Sequence, residues 1–397
     1  MINVTNAILM LSHRRGGGLI LNKGRDFRNF IYLLTLLTLW LLAYALVIPI
    51  CSCGIMALLM VVLTSRVLLA IKTKSLLLFY VFFELRVIPI TLIVFLFGYQ
   101  PEKLRASFSL LLYTVVSSLP LLLYIIYWDI TYITSSFLAI PITLGFIVKT
   151  PMYLFHTWLP KAHVEAPVGG SMFLAGVLLK LGSYGLMLFL PFIHQNSLLT
   201  FYISIALVGS PVACLICLRQ GDLKLLIAYS SVVHIGVVTV GFIRGREIGY
   251  TCGLIIVFSH GLSSPFLFAF SYWLYVSSHS RIIINNLSTW PIRIFGFIGL
   301  VSLNIGVPPS LSVWSEVLLA RSLLTIMCTA LPILLLILFL GGLYNLYLYV
   351  ACMHCKFSQQ NKTIERVNVY PMVQVIFYGY ASFLCLDNFH VYWHLSY

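Results

Sequence analysis

Lys149 and Lys180 lie in two consecutive apolar runs, joined by a polar stretch, in GFIVKTPMYLFHTWLPKAHVEAPVGGSMFLAGVLLKL (145–181). An ammonium group at the centre of a bilayer costs about 2.5–3.5 kcal/mol on insertion scales. Two of them in neighbouring spans imply a use. A buried lysine gains and loses its proton readily, so the chemistry to expect is proton transfer. Pro151 interrupts the backbone ladder beside Lys149, and broken helices at membrane depth are tolerated where they line a cavity. Glu84, in LLLFYVFFELRVIPI, falls near the middle of another apolar run. Glu316 follows a second interruption, at Gly306, Val307, Pro308 and Pro309. His156 stands two helical turns beyond Lys149, and His234 and His260 lie in or near two later runs. Together these groups form a row of titratable side chains that, with intervening water, passes protons laterally at mid-membrane.

Each of these residues also has a plainer use. Glu84 is either the ion partner of Lys149 or a neutral acid donating one interhelical hydrogen bond. The lysines either carry protons, form structural ion pairs, or snorkel. Snorkelling suits span ends, and Lys180 has apolar runs on both sides. Glu316 is a terminal proton site or an acid favoured at a helix start. His156, His234 and His260 are candidate relays or hydrogen-bonded packing residues. Arg86, two residues after Glu84, faces away from it on a straight helix and either snorkels or meets another acid. Lys161, His163 and Glu165 read as a solvated turn. Lys224, beside Asp222, starts a span at the interface, as a structural group or at a channel entrance.

The elements that must position these groups are membrane helices. The chain has 397 residues, 61% hydrophobic and 9% charged, against about a quarter charged in a soluble domain. Its formal charge of +14 is spread singly or in pairs at span ends, which suits anionic lipid headgroups and excludes nucleic acid as the partner. Cys214 and Cys217 read as small apolar residues, and Cys352, His354 and Cys355 match neither haem-attachment nor zinc spacing. No phosphate loop, nucleophilic triad or H-E-x-x-H site is present, so no metal or cofactor is expected in this chain.

The expected fold is an all-α polytopic membrane protein of about twelve spans, each near 20 residues. They run at 29–50, 51–71, 75–97, 106–128, 131–158, 168–191, 197–218, 223–243, 249–277, 292–327, 329–352 and 370–386. Two are long and Pro-interrupted, the pointer to two inverted repeats. The division is an N-terminal arm at 1–28, a peripheral helix at 29–50, a first repeat at 51–191, a second at 192–352, and a C-terminal loop and helix at 353–397. The basic, acid-poor arm resembles a targeting segment but is expected to stay uncleaved on the surface. Basic residues favour the N-terminal side as the electrically negative compartment.

At these residues the sequence resembles the antiporter-like membrane-arm subunits of mitochondrial NADH:ubiquinone oxidoreductase (complex I). The resemblance runs through FYVFFEL (79–85), GYQPEKLRA (98–106), VKTPMYLFHTWLPKAHVEAPVGGSM (148–172), LAGVLLKLGSYGL (174–186), CLRQGDLKLLIAYSSVVHIG (217–236), SHGLSSPFLF (259–268) and GVPPSLSVWSE (306–316). The WLPKAHVEAP and CLRQGDLKLLIAYSS runs are closer to the subunit 4 type than to its sisters, subunits 2 and 5. The resemblance implies that Glu84 modulates Lys149, that Lys180 is the central lysine, that His234 and His260 belong to the connecting part, and that Glu316 is the exit-side acid. It implies that NADH, FMN, iron–sulfur clusters and ubiquinone are bound by other subunits. The implied partners are the sister subunits 2 and 5, other membrane-arm and accessory subunits, and lipids such as cardiolipin, in the mitochondrial inner membrane. The family has fourteen helices, and residues 1–28 stand where the first two are expected. Arg86 replaces a small or polar residue and adds a like charge near Lys149.

The function to expect is proton translocation coupled to NADH oxidation by ubiquinone. A charge pair at 4 Å in an effective dielectric of 20 is worth about 4 kcal/mol, enough to decide whether a lysine keeps its proton. The rival functions are a cation/proton antiporter subunit and a non-pumping structural subunit.

Overall fold

The computed structural model describes residues 54–73, 75–127, 136–190, 197–243, 247–278, 280–283, 304–307, 310–324 and 330–353, with scattered positions between 31 and 42 and residue 301. The arm at 1–28, the expected last helix at 370–386, His354 and Cys355 lie outside the described residues, as does most of the span expected at 29–50.

Helices dominate because the apolar runs leave the backbone no partner except itself. In hydrocarbon every N–H and C=O must be bonded internally, and a helix does this within one segment. Buried hydroxyls follow the same rule. Ser183, Ser230, Ser231 and Thr239 donate to carbonyls of Lys180, Ile227, Ala228 and Gly236, each three residues back. The helices are α1 (Gly54–Lys72), α2 (Leu76–Leu85), α3 (Val87–Phe97), α4 (Lys103–Tyr127), α5 (Ser136–Lys149), α6 (Trp158–Glu165) and α7 (Val168–Phe173). A π-helical turn at Leu174–Leu178 leads into α8 (Leu179–Phe189). Then come α9 (Ser197–Leu218), α10 (Leu223–Ile243), α11 (Glu247–Ser278), α12 (Leu311–Leu324) and α13 (Leu331–Met353). Among the described residues the only bridge-type pairing outside helices is Asp222 with Ile282, which ties the start of α10 to the end of α11.

Eight spans in the described residues are long and apolar enough to cross a membrane. Two of them are composite: α2 with α3 forms Leu76–Phe97, and α7 through α8 forms Val168–Phe189. The runs expected at 131–158 and 292–327 contain the shorter helices α5 and α12, with non-helical backbone at 150–157 and 306–307.

Two interruptions have local causes. Pro89 has no N–H for the carbonyl four residues back, that of Leu85, and the span 75–97 turns at Arg86. Pro151 does the same to Ile147, whose carbonyl instead accepts from Met152 N at 3.4 Å. Beyond it Leu154 has φ 81, a left-handed conformation that costs a bulky residue of order 1–3 kcal/mol. Trp158 repairs the break: its indole Nε1 donates to Val148 O at 3.1 Å.

The composite span Val168–Phe189 is the centre of the bundle and is buried along almost its whole length. α5 packs on α8, α10 on α9 and α11, and α11 on α7, the π turn and α12. α4 and α13 cover flanks and keep broad exposed apolar faces, including Phe108, Leu123, Leu335 and Phe339. Their composition suits contact with lipid chains.

Candidate functional site

The break at Pro151 ends α5 on Lys149, and the turn at Arg86 ends α2 just after Glu84. The two ends meet. Lys149 Nζ donates to Glu84 Oε1 in a partly buried ion pair, the lysine enclosed and the glutamate side chain 17% exposed. Glu84 Oε2 is buried without a hydrogen-bond partner among the described residues. The Lys149 ammonium also lies 3.9 Å from the centroid of the Phe83 ring, within cation–π range. Neither snorkelling nor a lone neutral acid describes this arrangement.

Arg86 departs from both of its expected uses. It is 3% exposed, so it does not snorkel, and among the described residues it meets no acid at ion-pair distance. Backbone carbonyls hold it instead: Nε donates to Phe83 O and Nη1 to Leu178 O, each at 2.9 Å.

Lys180 is 2% exposed and its Nζ donates to Ala175 O, inside the π turn. A carbonyl accepts from an ammonium and from a neutral amine alike. Glycines bring this lysine close to its neighbours. A Cβ on Gly261 would lie 3.4 Å from Lys180 Cε, and one on Gly182 would lie 2.8 Å from Thr150 Cγ2 and 3.2 Å from Thr150 N. The two lysine-bearing segments therefore abut at Gly182. Gly182→Ala is expected to push the Lys149 segment off α8 at a cost of about 1–3 kcal/mol, read as a lower thermal midpoint of the assembled protein.

His234 on α10 and His260 on α11 stack with ring centroids 4.8 Å apart. Beyond them lies a cavity of about 40 Å³, lined by both histidines, Ser263, Asn304, Ser312 and Glu316. One water needs about 10–15 Å³ on this measure, so about three fit. Both ring nitrogens of His260, Nε2 of His234 and Oδ1 of Asn304 are buried with no hydrogen-bond partner among the described residues. These are the groups a water would bridge. Glu316 enters the cavity from α12, its Oε2 3.1 Å from where a Cβ on Gly306 would stand. Gly306 has φ +85, a conformation that favours glycine.

Other expectations change. His156 does not share a helical face with Lys149, because the backbone between them is not helical. It is buried, stacks on Tyr153 at 5.1 Å and meets the edge of Tyr229. Lys161 is exposed, but His163 and Glu165 are buried on α6 rather than solvated. His163 stacks on Phe268 at 4.5 Å, with both ring nitrogens unpartnered among the described residues. Lys224 is also buried, its Nζ donating to Ala166 O at 3.0 Å and Val164 O at 3.4 Å. Asn304 donates to Asn345 Oδ1 at 2.9 Å, a pair that sequence reasoning missed. Its signal was a lone amide in each of two apolar runs, which must find a partner in a membrane. Cys214, Cys217, Cys252 and Cys352 are buried thiols, and no metal-binding cluster occurs among the described residues.

A two-part chain of buried and half-buried titratable groups inside a helical membrane bundle is the layout of an antiporter-like membrane protein. Residues 73–343 match the family described as NADH:quinone oxidoreductase/Mrp antiporter, TM. The chain belongs to that family. It is 38% identical to NADH-ubiquinone oxidoreductase chain 4 of Albinaria caerulea, over 70% of this chain and 68% of the relative. It is 40% identical to the chain of the same name from Artemia franciscana, over 72% of this chain and 77% of the relative. Its fold is similar to a chain of respiratory complex I from Thermus thermophilus with bound NADH, at TM-score 0.76 and 21% identity, over 88% of this chain and 78% of the other.

Proposed function

We propose that this protein is the chain 4 type membrane-arm subunit of an NADH:ubiquinone oxidoreductase in the mitochondrial inner membrane, and that it translocates protons. The single observation that carries the reading is the buried row itself. An ion pair stands at one end, a carbonyl-held lysine in the middle, and a polar cavity ending on a carboxyl group at the other. A purely structural row would pair its charges and fill its cavities. Here Lys180 has no acid partner among the described residues, and the cavity has room for water.

In this reading the two halves of the chain are inverted repeats, each built round an interrupted helix, and the full set of about twelve spans completes the bundle. A displacement arriving from a neighbouring antiporter-like subunit separates Glu84 from Lys149. Without its carboxylate, Lys149 releases its proton along the abutting segments to Lys180. The carbonyl at Ala175 accommodates Lys180 in either protonation state, so the lysine can receive that proton and pass it on. His260 and His234 then exchange it with water in the cavity, and Glu316 takes it at the far side. His156, stacked among tyrosines beyond the first break, contributes at the entry to the row. NADH, FMN, iron–sulfur clusters and ubiquinone are handled by other subunits, and this chain contributes the proton path.

The test is extraction of the native membrane in mild detergent, with native-gel separation and mass spectrometry of the band that holds this chain. Migration in a very large assembly with NADH dehydrogenase activity is the expected result. Recovery only in a smaller assembly without that activity overturns the reading in favour of a cation/proton antiporter.

A further inference from the structure

Arg86 is a permanent charge, buried two residues from Glu84, and the proton row makes no use of it. A guanidinium taken out of water costs several kcal/mol unless its donors are bonded. The structure bonds it to two different elements. Nε holds Phe83 O, in the last turn of α2, and Nη1 reaches Leu178 O, at the end of the π turn. Ala175, in the same π turn, holds the ammonium of Lys180. One five-residue turn therefore supplies a carbonyl to each of two buried cations. Arg86 also shares the Phe83 ring with Lys149, its guanidinium carbon 4.1 Å from the ring centroid.

The position matters as much as the contacts. Arg86 is the joint of the two-piece span, between the end of α2 at Leu85 and the start of α3 at Val87. Any swing of α2 that moves Glu84 relative to Lys149 turns about this joint and moves the planar fork anchored on Leu178 O. Single π turns inside α-helices occur frequently at functional sites. We propose that Arg86 is a positioning residue that couples the Glu84–Lys149 pair to Lys180, tethering the end of α2 to the π turn whose carbonyl holds that lysine. The proposal rests on the reading of this chain as a proton path.

The experiment places Arg86→Met, Arg86→Lys and Lys149→Ala separately in the assembled complex. Protons moved per NADH and the pH profile of the coupled rate are measured in vesicles. Arg86→Met is expected to lower protons per NADH about threefold, within the range that coupling residues command, and to displace the pH profile. Arg86→Lys keeps the charge but not the fork, and is expected to restore the ratio only in part. Native stoichiometry and a native pH profile in an assembled Arg86→Met complex overturn the proposal. If that variant fails to assemble, Arg86→Lys decides by the same criterion. Failure of both to assemble marks Arg86 as a fastener and also overturns it. Loss of pumping in Lys149→Ala with none in the Arg86 variants sinks this proposal alone; full pumping in Lys149→Ala sinks the proton path with it.

Discussion

Lys149→Ala is expected to abolish the proton translocation carried by this chain and to destabilise it at the same time. The first effect follows from removing the donor between Glu84 and Lys180. The second follows from what is left behind. Glu84 loses its ammonium partner at Oε1, and its Oε2 already lacks a hydrogen bond among the described residues. Breaking a fully buried pair by removing one partner costs about 3–5 kcal/mol, and the loss here is smaller because the Glu84 side chain is 17% exposed. The measurements are protons moved per NADH in vesicles and the thermal midpoint of the assembled complex. Adding Glu84→Ala to Lys149→Ala should recover much of the lost stability without restoring any pumping. A Lys149→Ala complex with full stoichiometry would remove this lysine from the mechanism.

Lys180→Met should abolish pumping with the opposite effect on stability. Lys180 is 2% exposed, and a carbonyl oxygen rather than a carboxylate receives its Nζ. Methionine has a similar length, fills the same space and needs no polar partner. Removing an ammonium from mid-membrane recovers up to about 3 kcal/mol on insertion scales. The thermal midpoint should therefore hold or rise while protons per NADH fall. The contrast between the two lysines is the sharper test. Equal destabilisation by both substitutions would show that Lys180 is held by something stronger than one carbonyl.

Much of this was legible in the sequence because membranes make unpaired charge expensive. The apolar runs placed the described spans to within a few residues. Cost alone marked Glu84 as either a partner for Lys149 or a neutral acid, a choice the ion pair resolves, and Pro151 located the break. Arg86 was misread for a reason of the same kind. The i+2 argument considered only side chains as acceptors, whereas a helix joint and a π turn offered backbone carbonyls. The π turn itself has no sequence signature that periodicity detects. It accompanies the close approach of Gly176 to Pro265 and Leu41, a contact between distant segments. His156 was assigned to the face of Lys149 by carrying helical phase through a proline that stops the helix. His163 and Glu165 looked solvated because their stretch is polar. α6 instead turns them inward, where His163 lies flat on Phe268.

The enclosure of the Val168–Phe189 span carries a consequence for biogenesis. This segment leaves the ribosome before α10 and α11, the helices that wrap it in the finished bundle. Until they arrive, the Lys180 ammonium must sit against lipid or linger in the insertion machinery, at a cost the mature protein no longer bears. Gly261 on α11 is the surface that finally closes over the lysine. Insertion of the central helix is therefore completed by a later part of the same chain. Ribosome-stalled nascent chains that end before α11 should leave this helix only shallowly committed to the bilayer and open to quality-control proteases.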